Sequence, residues 1–392
     1  MSIPRSVWAL GFVSMFMDMS SEMIHALLPV YLVTTLSASA MTVGIIEGIA
    51  EATASITKLF SGTLSDYLGK RKLLTLVGYG MAALTKPLFP LASSAGLVFT
   101  ARFIDRIGKG IRGAPRDALV ADVTPPHLRG ASYGLRQSLD TVGAFCGPML
   151  AIILMYIYND MRTVFWFAVI PAAICVVILY WGVQEPEIPL REEADKPSFR
   201  GREILKLHNG YWVVILVSVL LNLARFSEAF LVLRAQERGL SIHWVPLILV
   251  VMNIIYAASS YPAGKLSDIF SRKCLMRWGI AMLVLSHLVL AGAGSVTMVF
   301  VGTLLWGLHM GLTQGIFSAM IADTSPAHLH GTAFGVFNIS NGVAMLGASI
   351  LAGWLWEDFG AGVPFFAGAI CAMAAWAFIF RLPRNSDAVK SG

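Results

Sequence analysis

Pairs of carboxylates lie four residues apart inside apolar stretches of this sequence. Asp18 and Glu22 would share one face of a helix, and Glu47 and Glu51 repeat the spacing. An apolar environment disfavours the charged form of a carboxyl group, and such a group is suited to carrying protons. The candidates for proton coupling are five acidic residues in apolar surroundings: Asp18, Glu22, Glu51, Asp140 and Glu228.

A stripe of cations runs between residues 102 and 116. Arg102, Arg106 and Lys109 follow one another at helical steps of four and three, and Arg116 continues the line. Such a stripe cannot face lipid, so it must face protein or a watery cavity. A cationic cavity wall favours an anionic substrate. The alternative is pairing with acidic residues of neighbouring helices, namely Asp18, Glu22, Glu51 and Asp140.

Further candidates for substrate contact come from both halves of the chain. Arg136 lies four residues before Asp140, and Arg225 lies three residues before Glu228. The second half has few other charges in its apolar stretches, so we expect it to offer aromatic and polar contacts. The complete set of substrate-binding candidates is Arg102, Arg106, Lys109, Arg136, Arg225, Trp306, Gln314 and Asn338.

Membrane-spanning helices are the elements that must position these residues. Hydrophobic residues make up 56% of the 392 residues and charged residues only 13%, whereas a soluble domain carries about 25% charged residues. A span needs about 20 mostly apolar residues. The sequence predicts twelve spans near 6–36, 41–66, 72–92, 96–123, 129–157, 162–183, 210–234, 243–268, 273–293, 296–324, 330–356 and 361–383.

Loop charges predict the domains and the orientation. Residues 184–209 form the one long polar segment, so we expect an N-terminal six-helix bundle over 1–183, a cytoplasmic linker over 184–209 and a C-terminal six-helix bundle over 210–392. Cations cluster at 70–72, in the linker and at 272–277, and this distribution predicts that both termini lie in the cytoplasm. We expect the protein to span a bacterial inner (plasma) membrane several times.

Several functional classes lack their sequence signatures. The four cysteines are scattered, with neither disulfide nor zinc spacing, and we find no P-loop and no nucleophile elbow. We therefore expect no enzyme activity, no cofactor and no metal. The net charge of +6 arises largely from loop cations that orient spans, so nucleic acid is not an expected partner.

The two halves of the chain repeat. ADVTPPHLRG at 121–130 matches ADTSPAHLHG at 322–331 with an offset of 201 residues, and GTLSDYLGKRK at 62–72 matches GKLSDIFSRKC at 264–274 with an offset of 202. Two colinear matches at nearly one offset indicate a duplicated six-helix unit. A parallel internal repeat of this kind is an architecture of secondary transporters.

The first copy of the repeated loop resembles the signature loop between the second and third helices of the major facilitator superfamily. The second copy is similar but has Ser271 where glycine is usual. Membership implies an all-α fold of twelve helices in two pseudo-symmetric bundles, usually monomeric, that transports a small solute by alternating access. The resemblance also implies a conformational latch, whose residues here are Gly62, Asp66, Gly69, Lys70, Arg71, Asp122, Asp268 and Arg272.

Two further motifs bear on the direction of transport. RIGKGIRGA at 106–114 is similar to the fourth-helix motif, and GAFCGP at 143–148 resembles the antiporter motif of the fifth helix, although glycine spacing of this kind also serves helix packing. Proton-coupled export by antiport is the favoured function. The alternatives are proton-coupled import of an organic anion or siderophore, and a membrane receptor or assembly protein that has kept the fold without transport.

Overall fold

The computed structural model describes residues 3–68, 70–125, 128–184, 209–325 and 330–381, and this part of the chain contains helices but no strand. The helices of the first half are α1 Arg5–His25, α2 Leu28–Val30, α3 Ala40–Leu68, α4 Arg71–Thr85, α5 Leu88–Leu91, α6 Ala95–Asp122, α7 Arg129–Tyr158 and α8 Met161–Gly182. Those of the second half are α9 Asn209–Ala224, α10 Ala229–Glu237, α11 Leu247–Ile269, α12 Arg272–Ala291, α13 Val296–Thr324, α14 His330–Phe359 and α15 Val363–Phe378.

These helices make up twelve segments, which confirms the predicted fold class. Three segments consist of two helices each: α1 with α2, α4 with α5, and α9 with α10. Within the described residues, seven segments are long and apolar enough to cross a membrane by length and composition alone. The other described segments are shorter, interrupted or charged.

Internal contacts divide the chain into two compact units. The first comprises 1–38, 49–198 and 243–247, and the second comprises 39–48, 199–242 and 248–392. Helix α3 therefore contributes to both units, its first turns to the second. Within that second unit, a methyl group placed at Gly48 of α3 would lie only 3.1 Å from Leu346 of α14, so these two helices are in close contact.

Glycines allow the helices of the first unit to approach each other closely. Gly143 of α7 lies directly against the backbone carbonyl of Met15 in α1, where even a methyl group would collide. Gly78 of α4 and Gly108 of α6 face each other in the same way, since a Cβ at either position would lie 2.6–2.7 Å from the other's carbonyl oxygen. Close backbone packing of this kind is typical of membrane helices.

Aromatic side chains form much of the core of the second unit. The ring of Phe226 lies 5.3–5.9 Å from those of Phe230, His287, Trp306 and Phe365. His287 hydrogen-bonds through Nε2 to the carbonyl oxygen of Ala224, at 3.0 Å. The cluster joins α10, α12, α13 and α15, and Trp306 is only 1% exposed within it.

A buried arginine donates hydrogen bonds to the backbone carbonyl groups at the end of α12. Arg234 donates hydrogen bonds to the carbonyl oxygens of Leu290, Ala291 and Ala293 at 3.0–3.3 Å, and forms an ion pair with Glu237 at 2.6 Å. The last carbonyl groups of a helix have no partner within the helix, so a cation at this end is stabilising.

Candidate functional site

Helix α6 carries the cationic stripe and contains the most charged side chains of the site. Its N-cap is Ser94, whose hydroxyl oxygen accepts a hydrogen bond from the backbone N–H of Leu97 at 3.4 Å. The helix then runs unbroken through Pro115 to Asp122, so the spacing expected from the sequence holds. The side chains of Arg102, Arg106 and Arg112 are buried, which means that protein surrounds them rather than lipid.

Two arginines of the stripe have partners on neighbouring helices. Arg102 donates a hydrogen bond to Nδ1 of His25 at 2.7 Å, at the point where α1 ends. Arg106 forms an ion pair with Glu51 of α3, with 3.2 Å between Nη1 and Oε1. Of the predicted pairings, the structure therefore brings Glu51 to Arg106, whereas Arg102 hydrogen-bonds to His25, which was not among the predicted partners.

Lys109 differs from the arginines of the stripe. Its side chain is exposed and makes neither an ion pair nor a hydrogen bond with any residue in the described ranges. It interacts electrostatically with the carboxylates of Glu51 and Asp18 and with the like charges of Arg106 and Arg112. An ammonium group in this setting can receive an anionic group without first breaking a protein contact.

A separate cluster of charged side chains surrounds Asp140 on α7. Its carboxyl lies 3.8 Å from Arg136 and 4.0 Å from Arg116, and it interacts with the carboxyl of Asp18 on α1. Asp117 joins the group at 3.1 Å from Arg116 and 3.8 Å from Arg136. The structure thus brings together two of the predicted proton-coupling residues, Asp18 and Asp140, beside two arginines.

Tyr79 of α4 is a central residue of the site that the sequence reasoning missed. The guanidinium of Arg112 lies over its ring at 4.6 Å, and Arg116 donates hydrogen bonds to its hydroxyl at 3.4 Å and to that of Ser14 at 3.0 Å. A cation over an aromatic face is stabilised by the ring quadrupole. A single tyrosine in an apolar span gives no periodic signal that could have identified it.

A second missed feature is an ion pair behind the stripe. Lys86 lies at the end of α4 and pairs with Asp105 of α6 at 2.9 Å; the two side chains are only 2% and 4% exposed. The ammonium of Lys86 also donates a hydrogen bond to the hydroxyl of Ser21 in α1, at 3.0 Å. Charges this deeply buried are costly unless they are paired, as here.

The last proton-coupling candidate of the first half, Glu22, lies where α1 packs against α7. Glu22 is half-buried on α1, and a methyl group at Gly147 of α7 would lie 2.9 Å from its Cβ. Gly147 and Gly143 are the glycines of the GAFCGP motif, and both press against α1. Helix packing is therefore a sufficient physical explanation of that motif.

The candidates of the second half form a polar group and an apolar one. Arg225 interacts electrostatically with Glu228 and Tyr256, and the hydroxyl of Tyr256 donates a hydrogen bond to Gln314 at 2.7 Å. Asn338 is half-buried on α14. Trp306, in contrast, is enclosed in the aromatic cluster, so it is a packing residue here and not an accessible substrate contact.

The predicted latch is described only in part. Arg71 of α4 forms an ion pair with Asp122 at the end of α6, and it also donates to the carbonyl oxygen of Ala118 at 3.3 Å. Lys70 is exposed and Arg272 begins α12. Gly69 and the side chains of Asp66 and Asp268 lie outside the described residues.

Gly62 is one of the expected latch residues and lies on α3. A methyl group there would meet Ala114 of α6 at 3.5 Å, an ordinary contact. The close approach of α3 to α6 occurs instead at Gly110, beside which Ser61 donates a hydrogen bond to the Gly110 carbonyl at 2.9 Å.

The fold is that of a multi-helix membrane transporter, as comparison with solved structures shows. A nucleoside transporter, NupG, superposes with a TM-score of 0.81 at 12% identity, covering 96% of this chain and 99% of that one. The human organic anion transporter MFSD10 gives a TM-score of 0.66 at 16% identity, covering 96% of this chain and 99% of that one. At these identities the likeness concerns the fold alone.

The family model described as Major Facilitator Superfamily matches residues 10–245 and 227–392, and the chain belongs to that family. It is similar to an uncharacterised MFS-type transporter of Methanocaldococcus jannaschii, 31% identical over 364 residues, which are 91% of this chain and 89% of that protein. It is also similar to the inner membrane transport protein YajR of Escherichia coli, 27% identical over 393 residues, covering 95% of this chain and 82% of that protein. The chain is thus a multi-pass membrane transporter of small molecules.

Proposed function

We propose that this transporter moves a small organic anion together with protons. The observation that supports this proposal is the ion pair between Arg106 and Glu51 beside the ammonium of Lys109, one helical turn along α6. Among the described residues, Lys109 has no ion-pair partner. Lys109 provides a first contact for a carboxylate or similar group. Arg106 provides a second contact once it exchanges Glu51 for the solute.

Competition for Arg106 would couple the two fluxes. When an anionic group takes the place of Glu51, the released carboxylate loses its counter-ion, and its charged form is no longer stabilised. It then takes up a proton, so anion and proton bind together, and each increases the affinity for the other by linkage. A proton gradient directed into the cell would therefore drive import.

The carboxyls of Asp18 and Asp140 would supply a further protonation site. They interact with each other as well as with the surrounding cations. This pair also favours a second candidate function, which is export by antiport. A cationic solute bound between Asp18 and Asp140 would displace a proton instead of recruiting one.

Export was favoured by the resemblance of GAFCGP to the antiporter motif, but the packing of Gly143 and Gly147 on α1 already explains those glycines. Import of an anion is accordingly the first proposal and export the second. In both candidate functions, the protein would be a monomer in a bacterial inner membrane, with both termini in the cytoplasm. Its binding site would open to the two sides of the membrane in turn. The pair formed by Arg71 and Asp122 would serve as part of the latch.

Thermal unfolding of the detergent-purified protein with added succinate, citrate or gluconate tests this proposal. Ligand binding raises the unfolding temperature by mass action. We expect anions to stabilise the wild type and Lys109→Gln to abolish the effect. Lys72→Gln is the control, because Lys72 donates a hydrogen bond to the Tyr180 carbonyl near the C-terminal end of α8, away from the site.

The pH of a weakly buffered sample distinguishes the two candidates. Proton uptake when an anion is added supports the proposal, and Glu51→Gln should abolish that uptake. If lipophilic cations stabilise the protein and release protons, and Lys109→Gln changes nothing, the export candidate replaces it. If neither class of solute stabilises the wild type, the proposed substrate class is wrong.

A further inference from the structure

A cation of the second unit lies over an aromatic ring near the beginning of α12. Arg277 is in the second turn of that helix, and its guanidinium lies 4.1 Å from the centroid of the Phe380 ring. Phe380 belongs to the short helical turn Ile379–Arg381 that follows α15. Among the described residues, Arg277 has no side-chain hydrogen bond and no ion pair, although its Nε is buried. Its N–H groups are therefore available to an acceptor that the described part of the chain does not supply.

The equivalent place in the first unit is arranged differently. Helices α4 and α12 begin at Arg71 and Arg272, which are one repeat of 201 residues apart. In the first unit, the ammonium of Lys72 lies 5.9 Å from the ring centroid of Tyr180, near the end of α8, and donates a hydrogen bond to the Tyr180 carbonyl at 2.9 Å. Both units thus place a cation beside an aromatic ring, but only in the second does no described residue accept a hydrogen bond from it.

The aromatic side chains next to Arg277 are exposed on the outer surface of the second unit. Phe380 packs edge-on against Trp376, with the ring centroids 5.1 Å apart, and both rings are exposed. Trp278, the next residue along α12, is exposed as well. In membrane proteins, tryptophan rings concentrate at the boundary between hydrocarbon and headgroups. The guanidinium of Arg277 therefore lies at the depth of the lipid phosphates.

The charges near this guanidinium favour an anionic headgroup over a zwitterionic one. Lys273 lies one helical turn before Arg277, so the two cations share a face of α12, and Arg272 begins the helix. A guanidinium binds a phosphate through two parallel N–H···O bonds, whereas an ammonium acts as a point charge. A zwitterionic headgroup would bring its own ammonium close to these cations, and they would repel it.

We propose that Arg277 binds the phosphate of an anionic phospholipid, with the ring of Phe380 supporting the guanidinium and the tryptophans contacting the glycerol and the first acyl carbons. The occupant is a lipid and not a free anion, because a hydrated ion would leave the exposed rings beside the guanidinium uncovered. The site lies within the second unit and does not involve the solute site of α6, so it goes beyond the proposed function.

Native mass spectrometry of the delipidated, full-length protein measures this site. Dioleoyl phosphatidylglycerol and dioleoyl phosphatidylcholine are titrated separately, because they share their acyl chains and their phosphodiester and differ in net charge. We expect the first phosphatidylglycerol to bind about tenfold more tightly than the first phosphatidylcholine, and Arg277→Gln to remove this preference. Arg277→Lys loses the two parallel hydrogen bonds and Phe380→Leu loses the ring, so each should weaken phosphatidylglycerol binding about threefold.

Lys72→Gln is the matched control, because it removes one cation from the equivalent place of the first unit, where the ammonium already has a protein acceptor. Its preference for phosphatidylglycerol should equal that of the wild type. Equal losses in Lys72→Gln and Arg277→Gln would overturn the proposal, since net charge alone would then explain the binding. A wild type that binds both lipids equally would overturn it as well.

Glycerol phosphate distinguishes a lipid from a free anion. This soluble headgroup analogue lacks acyl chains, and we expect it not to displace phosphatidylglycerol even in large excess. Displacement that depends on Arg277 would make the occupant a soluble anion and overturn the lipid assignment. If Arg277→Gln yields no folded protein, Arg277→Lys decides, because unchanged phosphatidylglycerol binding in that variant contradicts the proposal.

Discussion

Arg106 and Glu51 are joined by an ion pair of 3.2 Å in which the two partners differ in access: the arginine side chain is 7% exposed and that of the glutamate 37%. The carboxylate is thus the partner that water or a solute can reach, and the guanidinium remains fixed behind it. The exchangeable component of the pair is Glu51. A solute that binds Arg106 can therefore displace the accessible carboxylate of Glu51 while the arginine side chain stays in place.

Neutralising Glu51 should therefore separate anion binding from proton uptake. Glu51→Gln keeps the shape of the side chain but no longer competes for Arg106, so we expect tighter anion binding, by about tenfold, and no proton uptake. Calorimetric titration in two buffers of different ionisation enthalpy measures both quantities. Glu357→Gln, in an exposed part of α14, is the control. Unchanged proton uptake in Glu51→Gln would assign the proton to another carboxyl.

The ion pair of Arg71 and Asp122 should affect the transport rate more than the stability. Both side chains are partly accessible, so the coupling free energy from a double-mutant cycle should be about 1 kcal/mol or less. We expect Arg71→Gln and Asp122→Asn each to slow solute flux into proteoliposomes severalfold, and the double variant to be no slower than either. Additive losses of flux would show that the two residues act independently and not as one latch.

The packing of α7 on α1 should depend on one glycine much more than on another in the same helix. Gly143→Ala places a methyl group against the Met15 carbonyl, and the resulting overpacking should lower the free energy of unfolding by about 1–3 kcal/mol. Gly134→Ala meets nothing within 4 Å and should instead stabilise the helix by up to about 1 kcal/mol. Unfolding in mixed micelles compares the two. Equal effects would mean that close packing does not explain the GAFCGP motif.

Much of the architecture was predictable because lipid imposes simple rules on sequence. Apolar segments of about 20 residues, the repeat and the signature loop were enough to predict twelve helices of this family. The stripe on α6 was predictable because the helical period places Arg102, Arg106 and Lys109 on one face. These are local properties, and each can be seen in one segment of the chain.

The partners within the site were not predictable, because they depend on how helices are rotated against each other. Lys86, at the end of a short helix, carries no periodic signal that connects it with Asp105. Tyr79 appears in the sequence as one aromatic residue among many. Arg234 is the last residue of a predicted span, and nothing in the sequence shows that it is buried against the end of α12. Trp306 was assigned to substrate binding on residue type alone, whereas its neighbours enclose it.

Asp160 should make the stability of α8 depend on pH. Its carboxylate accepts hydrogen bonds from the backbone N–H groups of Arg162 and Thr163 and from the Thr163 hydroxyl, at 2.7–3.3 Å. Partial burial alone would raise the pKa of Asp160, but these hydrogen bonds outweigh it, and the pKa is lowered from its usual value of 3.8. The stabilisation is then complete above about pH 4 and is lost as the pH falls through the lowered pKa.

Asp160→Ala should accordingly cost about 1 kcal/mol of unfolding free energy at pH 7, and less as the pH falls below about 4. The matched control is Ser94→Ala, which removes the N-cap of α6 without removing a charge. Its cost should be similar at neutral pH and should not change between pH 3 and pH 7. Unfolding in micelles across this range measures both. A cost for Asp160→Ala that is constant with pH would show that the carboxylate acts only as a hydrogen-bond acceptor, and that its charge does not contribute.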